Sequence, residues 1–416
     1  MDFTYSATCE EMRLRVRAFL DEHILPRNKQ WHDEVHAGTY PVSFMEDLKD
    51  LAKSEGLWNL FLPSLRDDEP GMGLSNLDYA PLAEIMGRVI WSPEVFNCNA
   101  PDTGNMELMH MFTTPAQYEQ WLKPLLNGEI RSAFAMTEPD VASSDATNIQ
   151  TLITRDGDSY VINGRKWFIT NAAHPNCKIM ILMGKTDPDG PSHRQQSMIL
   201  VPMDTPGVEV VRNITVINHH APEGHCEIVF RDVRVPAENL LGQEGDGFMM
   251  AQARLGPGRI HHCMRSIGQC EVALELMSER AQERKAFGKY LHEHGSVSEA
   301  IARSRVEIEQ ARLLVLKTAY LIDTIGAKEA RNEISLIKVA IPEMQCRIAD
   351  RAMQVFGAMG LSPDTPLADI YTWGRALRYA DGPDEVHLRT IARREIRKSA
   401  STLGEAAKYL TLPDRL

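Results

Sequence analysis

The sequence predicts an α+β multidomain protein: an N-terminal helical domain, a middle β domain and a C-terminal helical bundle. Three observations carry this. The chain has 416 residues, too long for one hydrophobic core and suited to two or three packed domains. Apolar residues recur at helical spacing in its first and last parts. Between them lie strand-like runs rich in Val, Ile and Thr.

Residues 1–130 read as helical because Met12, Val16, Phe19 and Leu20 fall on one helix face, with turn chemistry at Pro41, at Pro63 and from Pro70 to Gly73. Residues 131–237 read as the β domain. There, Tyr160 to Ile162, Asn163-Gly164, then Lys166 to Thr170 predict a hairpin, since Asn-Gly suits the positive φ of a type I′ turn. Residues 238–416 read as long antiparallel helices. Ile260, Cys263, Ile267, Cys270, Leu274, Met277 and Ala281 form one stripe, and Ile334, Ile337, Ile341, Met344, Ile348 and Val355 a second. Pro342 interrupts the second stripe; an internal proline costs ~3 kcal/mol, so a kink or a helix end is expected there.

Composition narrows the function. Hydrophobic residues make up 43% and charged residues 25%, values at which burial can offset the entropy of ordering the chain. Lys and Arg number 45 against 57 Asp and Glu, a net charge of −12. Neither a nucleic acid nor an anionic membrane is therefore an expected partner. The seven cysteines, at 9, 98, 177, 226, 263, 270 and 346, form no Cys-x-x-Cys pair and suggest free thiols in a reduced compartment. No apolar run is long enough for a membrane span, and the N-terminus has no secretory core. The tail Asp414, Arg415, Leu416 is not a Ser-Lys-Leu address. A cytoplasmic location is the default expectation, or a mitochondrial matrix or peroxisome in a eukaryote.

Several common sites are disfavoured. No Gly-x-Gly-x-x-Gly follows a strand, no Gly-x-Ser-x-Gly elbow occurs, and the phosphate-loop look of Gly184-Lys185-Thr186 fails because Ile179 stands where its first glycine belongs. His219-His220, His261-His262 and His292-x-His294 have spacings that do not put two ligands on one helix face, so no metal is expected.

Four segments resemble acyl-CoA dehydrogenases. The first is Gln120-Trp121-Leu122-Lys123-Pro124-Leu125-Leu126 with Gly128-Glu129, running into Phe134-Ala135-Met136-Thr137-Glu138-Pro139. The second is Gly164-Arg165-Lys166-Trp167-Phe168-Ile169-Thr170-Asn171. The third is Phe230-Arg231-Asp232-Val233-Arg234-Val235-Pro236, Asn239 to Gly242 and Gly245-Asp246-Gly247-Phe248. The fourth is Glu283-Arg284-Lys285-Ala286-Phe287-Gly288-Lys289 with Gln354-Val355-Phe356-Gly357-Ala358. Together with Asp381-Gly382-Pro383-Asp384-Glu385-Val386-His387 and Asn99-Ala100-Pro101-Asp102-Thr103-Gly104-Asn105, they are most similar to the subgroup of family members ten and eleven. Those proteins often carry an additional kinase-like domain, which these 416 residues do not include.

The resemblance implies the three-domain fold with a C-terminal four-helix bundle, and FAD as cofactor. Phe134, Met136, Thr137 and Ser143 would lie along the flavin, with Ser143 also facing the CoA pantetheine. Phe168 would pack on the flavin and Thr170 would sit near its N5. Because strand side chains alternate, Trp167 would point away from Phe168. Arg284, Phe287, His294, Gln354, Gly357 and Ala358 would serve the FAD of a neighbouring subunit, making a homodimer or homotetramer. Pro383 and Glu385 would complete the FAD site. Arg259, opening a helix after Gly256-Pro257-Gly258, would face CoA together with Gly382 and Arg393, although the family's usual aspartate is Gly256 here.

The family's base is usually a glutamate followed by glycine and threonine; here that position is Asp381, one methylene shorter, with Glu385 as the alternative carboxylate. The implied reaction converts an acyl-CoA substrate to a trans-2-enoyl-CoA, as in β-oxidation of fatty acids, with an electron-transfer flavoprotein reoxidising the cofactor. A nitroalkane-oxidase-like oxidase and a non-catalytic flavin-binding relative are the alternatives.

Residues 96–106 add a substrate expectation. Asn97, Asn99, Asp102, Thr103 and Asn105 crowd a stretch that lies near the acyl pocket in the family, and between Arg88 and Lys123 only His110 could be cationic. Buried polar groups left unpaired cost ~1 to 3 kcal/mol each, so a 4-hydroxylated medium to long acyl chain suits them better than a phosphorylated or plain one. The bland reading is that these residues cap helices and form turns.

Overall fold

The computed structural model describes residues 4–410. Asp414, Arg415 and Leu416 lie outside the described residues. The N-terminal helices are α1 (Ala7–Phe19), α2 (Asn28–His36), α3 (Met45–Ser54), α4 (Asn76–Gly87), α5 (Ser92–Val95), α6 (Asp102–Phe112), α7 (Pro115–Gln117) and α8 (Lys123–Leu126). Hydroxyls begin three of them: Ser6 Oγ accepts from the Cys9 N–H (3.0 Å), Ser75 Oγ from the Asp78 N–H (3.0 Å) and Thr114 Oγ1 from the Gln117 N–H (3.3 Å). Each satisfies a donor that the first helical turn leaves free. Met12, Val16, Phe19 and Leu20 are buried, as their spacing predicts.

The middle strands are β1 (Arg131–Ala135), β2 (Leu152–Asp156), β3 (Ser159–Thr170), β4 (Cys177–Lys185), β5 (Gln196–Pro202), β6 (Val208–Asn213), β7 (His225–Pro236) and β8 (Leu240–Leu241). They form one eight-stranded sheet in the order β6-β7-β3-β2-β4-β5-β8, with β1 parallel beside β4. Along β4 the pleat sends Ile179, Ile181 and Met183 into the large core shared with the helices, and Met180 and Leu182 into a second core within the sheet.

The expected hairpin at Asn163-Gly164 is not there. β3 runs through both residues, and the turn lies at the start of β3 instead, at Gly157-Asp158, with Gly157 at φ +61° between β2 and β3. Asn163-Gly164 instead marks a bulge, where the register against β7 shifts between Ile162 and Gly164. A Cβ on Gly164 would collide with the Thr151 side chain. Asn163 Nδ2 donates to Asp232 Oδ1 (3.0 Å), and the Asp232 N–H donates to Asn163 Oδ1 (2.8 Å). The residues that make a good turn thus serve a close strand approach.

The C-terminal part comprises α9 (Gly247–Glu283), the small hairpin β9 (Lys285–Ala286) and β10 (Lys289–Tyr290), then α10 (Gly295–Ile325), α11 (Arg331–Phe356), α12 (Leu367–Leu377) and α13 (Asp384–Ala400). The first apolar stripe is wholly buried, and the second is buried from Ile334 to Ile348. Of the kink or helix end expected at Pro342, the helix end does not occur: α11 continues through it. Ile337, Ile341, Met344 and Ile348 around it are all buried. At ~1.5 to 3 kcal/mol per buried side chain, their packing outweighs one lost hydrogen bond.

A buried polar seam fixes the helices to β1. Arg131 Nε donates to Asp102 Oδ2 and Arg131 Nη1 to Glu94 Oε1 (2.6 Å). Asp102 Oδ1 accepts from the Ser132 N–H (2.7 Å), and Asn105 Nδ2 donates to Ser132 Oγ (2.9 Å).

Candidate active site

Asp381 sits in the turn between α12 and α13 with φ +57°. Two cations shape that turn. Lys338 Nζ, on α11, donates to the carbonyls of Leu377 (2.5 Å) and Ala380 (2.7 Å), and Arg259 Nε, on α9, donates to the carbonyl of Asp381 itself (2.9 Å). The Asp381 N–H meets no acceptor among the described residues.

The carboxylate rests on α9. Arg254, Gly258 and His262 follow at four-residue intervals and so share one helix face. A Cβ on Gly258 would lie 3.4 Å from Asp381 Oδ2, and His262 Nε2 lies 3.5 Å from the same oxygen. The Asp381 side chain keeps 16% of its surface exposed. Burial pushes its carboxyl up, but His262, Arg254, Lys338 and Arg259 outweigh that and hold it below the ordinary range. The carboxyl is thereby held in its ionised form.

Two histidines flank it, and both stay neutral. Burial, reinforced by Arg265, brings His262 down to about 3, and Arg265 Nη2 donates to its Nδ1 (3.1 Å). Burial brings His387 down to about 4 against the opposing pull of the Asp381 backbone, and its Nε2 makes no well-formed hydrogen bond among the described residues. A Cβ on Gly382 would lie 3.1 Å from that nitrogen, and Gly382 itself has φ +105°. Glycine meets both demands.

Phe134, Met136, Thr137, Ser143, Phe168 and Thr170 are brought together where β1 and β3 end. Lys166 Nζ donates to the Met136 carbonyl (2.8 Å) and to Glu138 Oε1 (2.8 Å), and the Trp167 N–H donates to the Thr137 carbonyl (3.0 Å). Ser143 Oγ accepts from the Glu138 N–H (2.8 Å), and Thr170 Oγ1 lies 3.0 Å from His225 Nδ1. The strict alternation expected of Trp167 and Phe168 fails. Phe168 has φ +53° and the β3 register shifts between Lys166 and Ile169, so the two rings meet edge to face, with centroids 5.0 Å apart. This bulge leaves Phe168 43% exposed. Phe134 is linked to Asp381 by Arg254, whose guanidinium lies 4.0 Å from the Phe134 ring centroid and which helps hold the Asp381 carboxyl down.

Other expected residues lie elsewhere. Arg284, Phe287 and His294 surround the β9–β10 hairpin, where Phe287 is 97% exposed and His294 Nε2 lies 3.1 Å from the Ala286 carbonyl. Gln354, Gly357 and Ala358, at the end of α11, are exposed. The Arg280 guanidinium lies 5.4 Å from the Phe356 ring centroid and brings these two groups to one end of the bundle. Among the described residues, no hydrogen bond, ion pair or ring contact joins either group to Phe168 or Asp381. Pro383 precedes α13 as its N-cap, while Glu385 and Arg393 on that helix are exposed.

The polar stretch near residue 100 is largely committed within the protein. Asn97 Nδ2 donates to Asn59 Oδ1 (2.8 Å) and to the Leu125 carbonyl (3.0 Å), while Asp102 and Asn105 belong to the seam with β1. Asn99 Oδ1 is buried without a partner among the described residues. The stretch also has a cationic neighbour that its own sequence does not show, since Arg254 Nε donates to Asn105 Oδ1 (2.9 Å).

Sequence reasoning missed His262, Arg254, Lys338 and His387. As one of an adjacent pair, His262 carries no ligand spacing. Its interval from Gly258 and Arg254 is the available signal, as is a lysine directly after Ile337 in an apolar stripe.

A helical domain, a middle sheet and a helical bundle around a carboxylate define an acyl-CoA dehydrogenase-type fold. Three family descriptions match in order: Acyl-CoA dehydrogenase, N-terminal domain over residues 6–129, middle domain over 133–233 and C-terminal domain over 245–396. The Mycobacterium tuberculosis protein named "Probable acyl-CoA dehydrogenase FadE2" is 55% identical, over 98% of this chain and 100% of its own length. Acyl-CoA dehydrogenase family member 11 of Homo sapiens is 51% identical over 96% of this chain, which spans 52% of that longer protein. The solved butyryl-CoA dehydrogenase of Megasphaera elsdenii is 27% identical, covering 95% of this chain and 100% of that one, with a TM-score of 0.81. The chain belongs to the acyl-CoA dehydrogenase family, FAD-dependent oxidoreductases that act on CH–CH bonds.

Proposed function

We propose that this chain oxidises an acyl-CoA thioester to its trans-2-enoyl form, with Asp381 as the base. The observation that carries this reading is the Asp381 carboxylate, kept ionised over the Gly258–His262 face of α9 beside a backbone N–H with no acceptor among the described residues. That N–H can receive the thioester carbonyl, which acidifies the α-carbon. The carboxylate then takes the α-proton, and the electrons of that C–H bond form the Cα=Cβ bond. Substrate that excludes water from the side chain raises its pKa and makes it a stronger base.

The residues at the ends of β1 and β3 fit a flavin. Phe168 offers an exposed aromatic face and Thr137 is exposed beside it. Phe134, Met136, Thr137, Ser143, Phe168 and Thr170 would hold the ring, and Pro383 and Glu385 would lie at its other edge. When bound, FAD accepts the hydride from the β-carbon. Arg284, Phe287, His294, Gln354, Gly357 and Ala358 serve the cofactor of a second subunit, which makes the protein a homodimer or homotetramer. The exposure of all of them but His294, which is half-buried, and their separation from Phe168 support this. Arg259, Ser143, Gly382 and Arg393 face CoA, and an electron-transfer flavoprotein takes the electrons. The seven free, buried cysteines favour a reducing compartment.

Stopped-flow mixing with a panel of acyl-CoAs tests the reading. Flavin bleaching by acyl-CoA is expected in wild type, with Asp381→Asn retaining yellow FAD but reducing it ~100- to 10,000-fold more slowly. Bleaching by nitroalkanes alone would favour an oxidase, and no bleaching a non-catalytic relative. Near wild-type reduction in the variant would move the base to Glu385 or elsewhere.

Medium to long 4-hydroxyacyl-CoAs are the preferred substrates in this reading. Asn99 Oδ1, buried and unpaired among the described residues, is the remaining support within residues 96–106. Turnover of plain saturated thioesters with equal kcat/KM would remove it.

A further inference from the structure

We propose that His262 is a positioning residue for Asp381, its Nε2–H fixing one carboxylate oxygen so that the other faces the substrate. This rests on Asp381 being the base.

The tautomer follows from geometry. Arg265 has only donors, and its Nη2 points at His262 Nδ1 from 3.1 Å. A neutral imidazole that accepts at Nδ1 carries its proton on Nε2, the nitrogen 3.5 Å from Asp381 Oδ2. Arg265 is itself anchored, with Nη1 donating to the Cys98 carbonyl (3.2 Å). A chain of three side chains therefore runs from the backbone next to Asn99 to one oxygen of the base. At 3.5 Å the last contact is longer than a good hydrogen bond, and the positioning role requires it to shorten when substrate excludes water.

The other groups facing Asp381 do not do this work. Arg259 Nε and Lys338 Nζ donate to backbone carbonyls of the turn rather than to its carboxylate, Arg254 is engaged with Asn105 and Phe134, and His387 lies beyond Gly382. Asp384 is paired with Arg378 (2.6 Å). The missing Cβ of Gly258 opens the space in which Oδ2 meets the imidazole. With Oδ2 held by an N–H, the free lone pairs lie on Oδ1, where the α-proton arrives.

The test measures flavin reduction against pH in the FAD-loaded protein with saturating acyl-CoA. Loss of the N–H should raise the pKa of Asp381, so in His262→Leu the acidic limb should move up by about one pH unit, with ~10-fold slower reduction at neutral pH and acyl-CoA affinity within about threefold. His262→Gln keeps an amide N–H in place of Nε2–H and should recover most of the wild-type profile. Independently of turnover, 15N-histidine spectra should show His262 as the Nε2–H tautomer near neutral pH, its signal assigned by its loss in His262→Gln and displaced in Asp381→Asn. An Nδ1–H tautomer, or a His262→Leu profile superposable on wild type, overturns the proposal while leaving Asp381 as base. Normal reduction by Asp381→Asn overturns both.

Discussion

The guanidinium of Arg254 lies 4.0 Å from the Phe134 ring centroid and donates through Nε to Asn105 Oδ1, so one side chain ties α9, β1 and α6 together. It is buried, and it helps hold the Asp381 carboxyl down.

Arg254→Met keeps most of the volume and removes the charge. Asn105 Oδ1 loses its donor and the ring loses its cation, so unfolding stability should fall by ~1 to 3 kcal/mol. The acidic limb of flavin reduction should also move upward. Urea denaturation together with a pH profile reads both; an unchanged profile would separate Arg254 from the base.

Arg284→Ala should weaken FAD retention and the oligomer together, because Arg284 is exposed and lies apart from its own chain's Phe168. Flavin absorbance across a size-exclusion peak measures both at once. Full flavin occupancy in a monomeric wild-type protein would contradict the shared site.

Arg131→Met should be among the most destabilising single changes. It strands Asp102 and Glu94 in the seam, and breaking a buried pair costs ~3 to 5 kcal/mol. Chemical denaturation of the purified variant, or its recovery only in aggregates, would show the loss; a shift below about 1 kcal/mol would mean that Lys49, 3.2 Å from Glu94, compensates.

Stability should decline as pH falls below about 6.5. Burial lowers His174 to about 3, and His225 and His387 to about 4. The unfolded chain binds protons there that the folded imidazoles refuse, roughly 1 kcal/mol per group at one unit below the ordinary value. Glu94 is pushed up by burial but brought down to about 2 by Arg131, Lys49 and His174, so its contribution is complete above about 4.5 and is lost towards 2. Urea midpoints at neutral pH and near pH 5 check the first part. A flat response would show that the imidazoles are reached by water.

The helices were legible in the sequence, and Asp381 could be proposed as the base from it, because both readings rest on local signals. An apolar stripe records the face a helix buries, and Asp381 stands in a short stretch that keeps its register with the family. Asn163-Gly164 misled because its turn chemistry is equally the chemistry of a bulge, and only the approach of Thr151 distinguishes them. Phe168 broke the alternation because its backbone enters a left-handed conformation that periodicity does not encode. His262 could not be tied to Asp381 at all: their contact exists only because α9 packs against α11, whose Lys338 holds the turn in place.

The division of β4 between two cores bears on how the molecule comes apart. Ile181 and Leu182 are neighbours in sequence yet belong to opposite interiors. Freeing this strand opens both at once, so the middle sheet and the helices around it are coupled into one cooperative unit through β4. The edge strand β6, with Val210 and Val211 already half exposed, is where fraying begins without disturbing that unit.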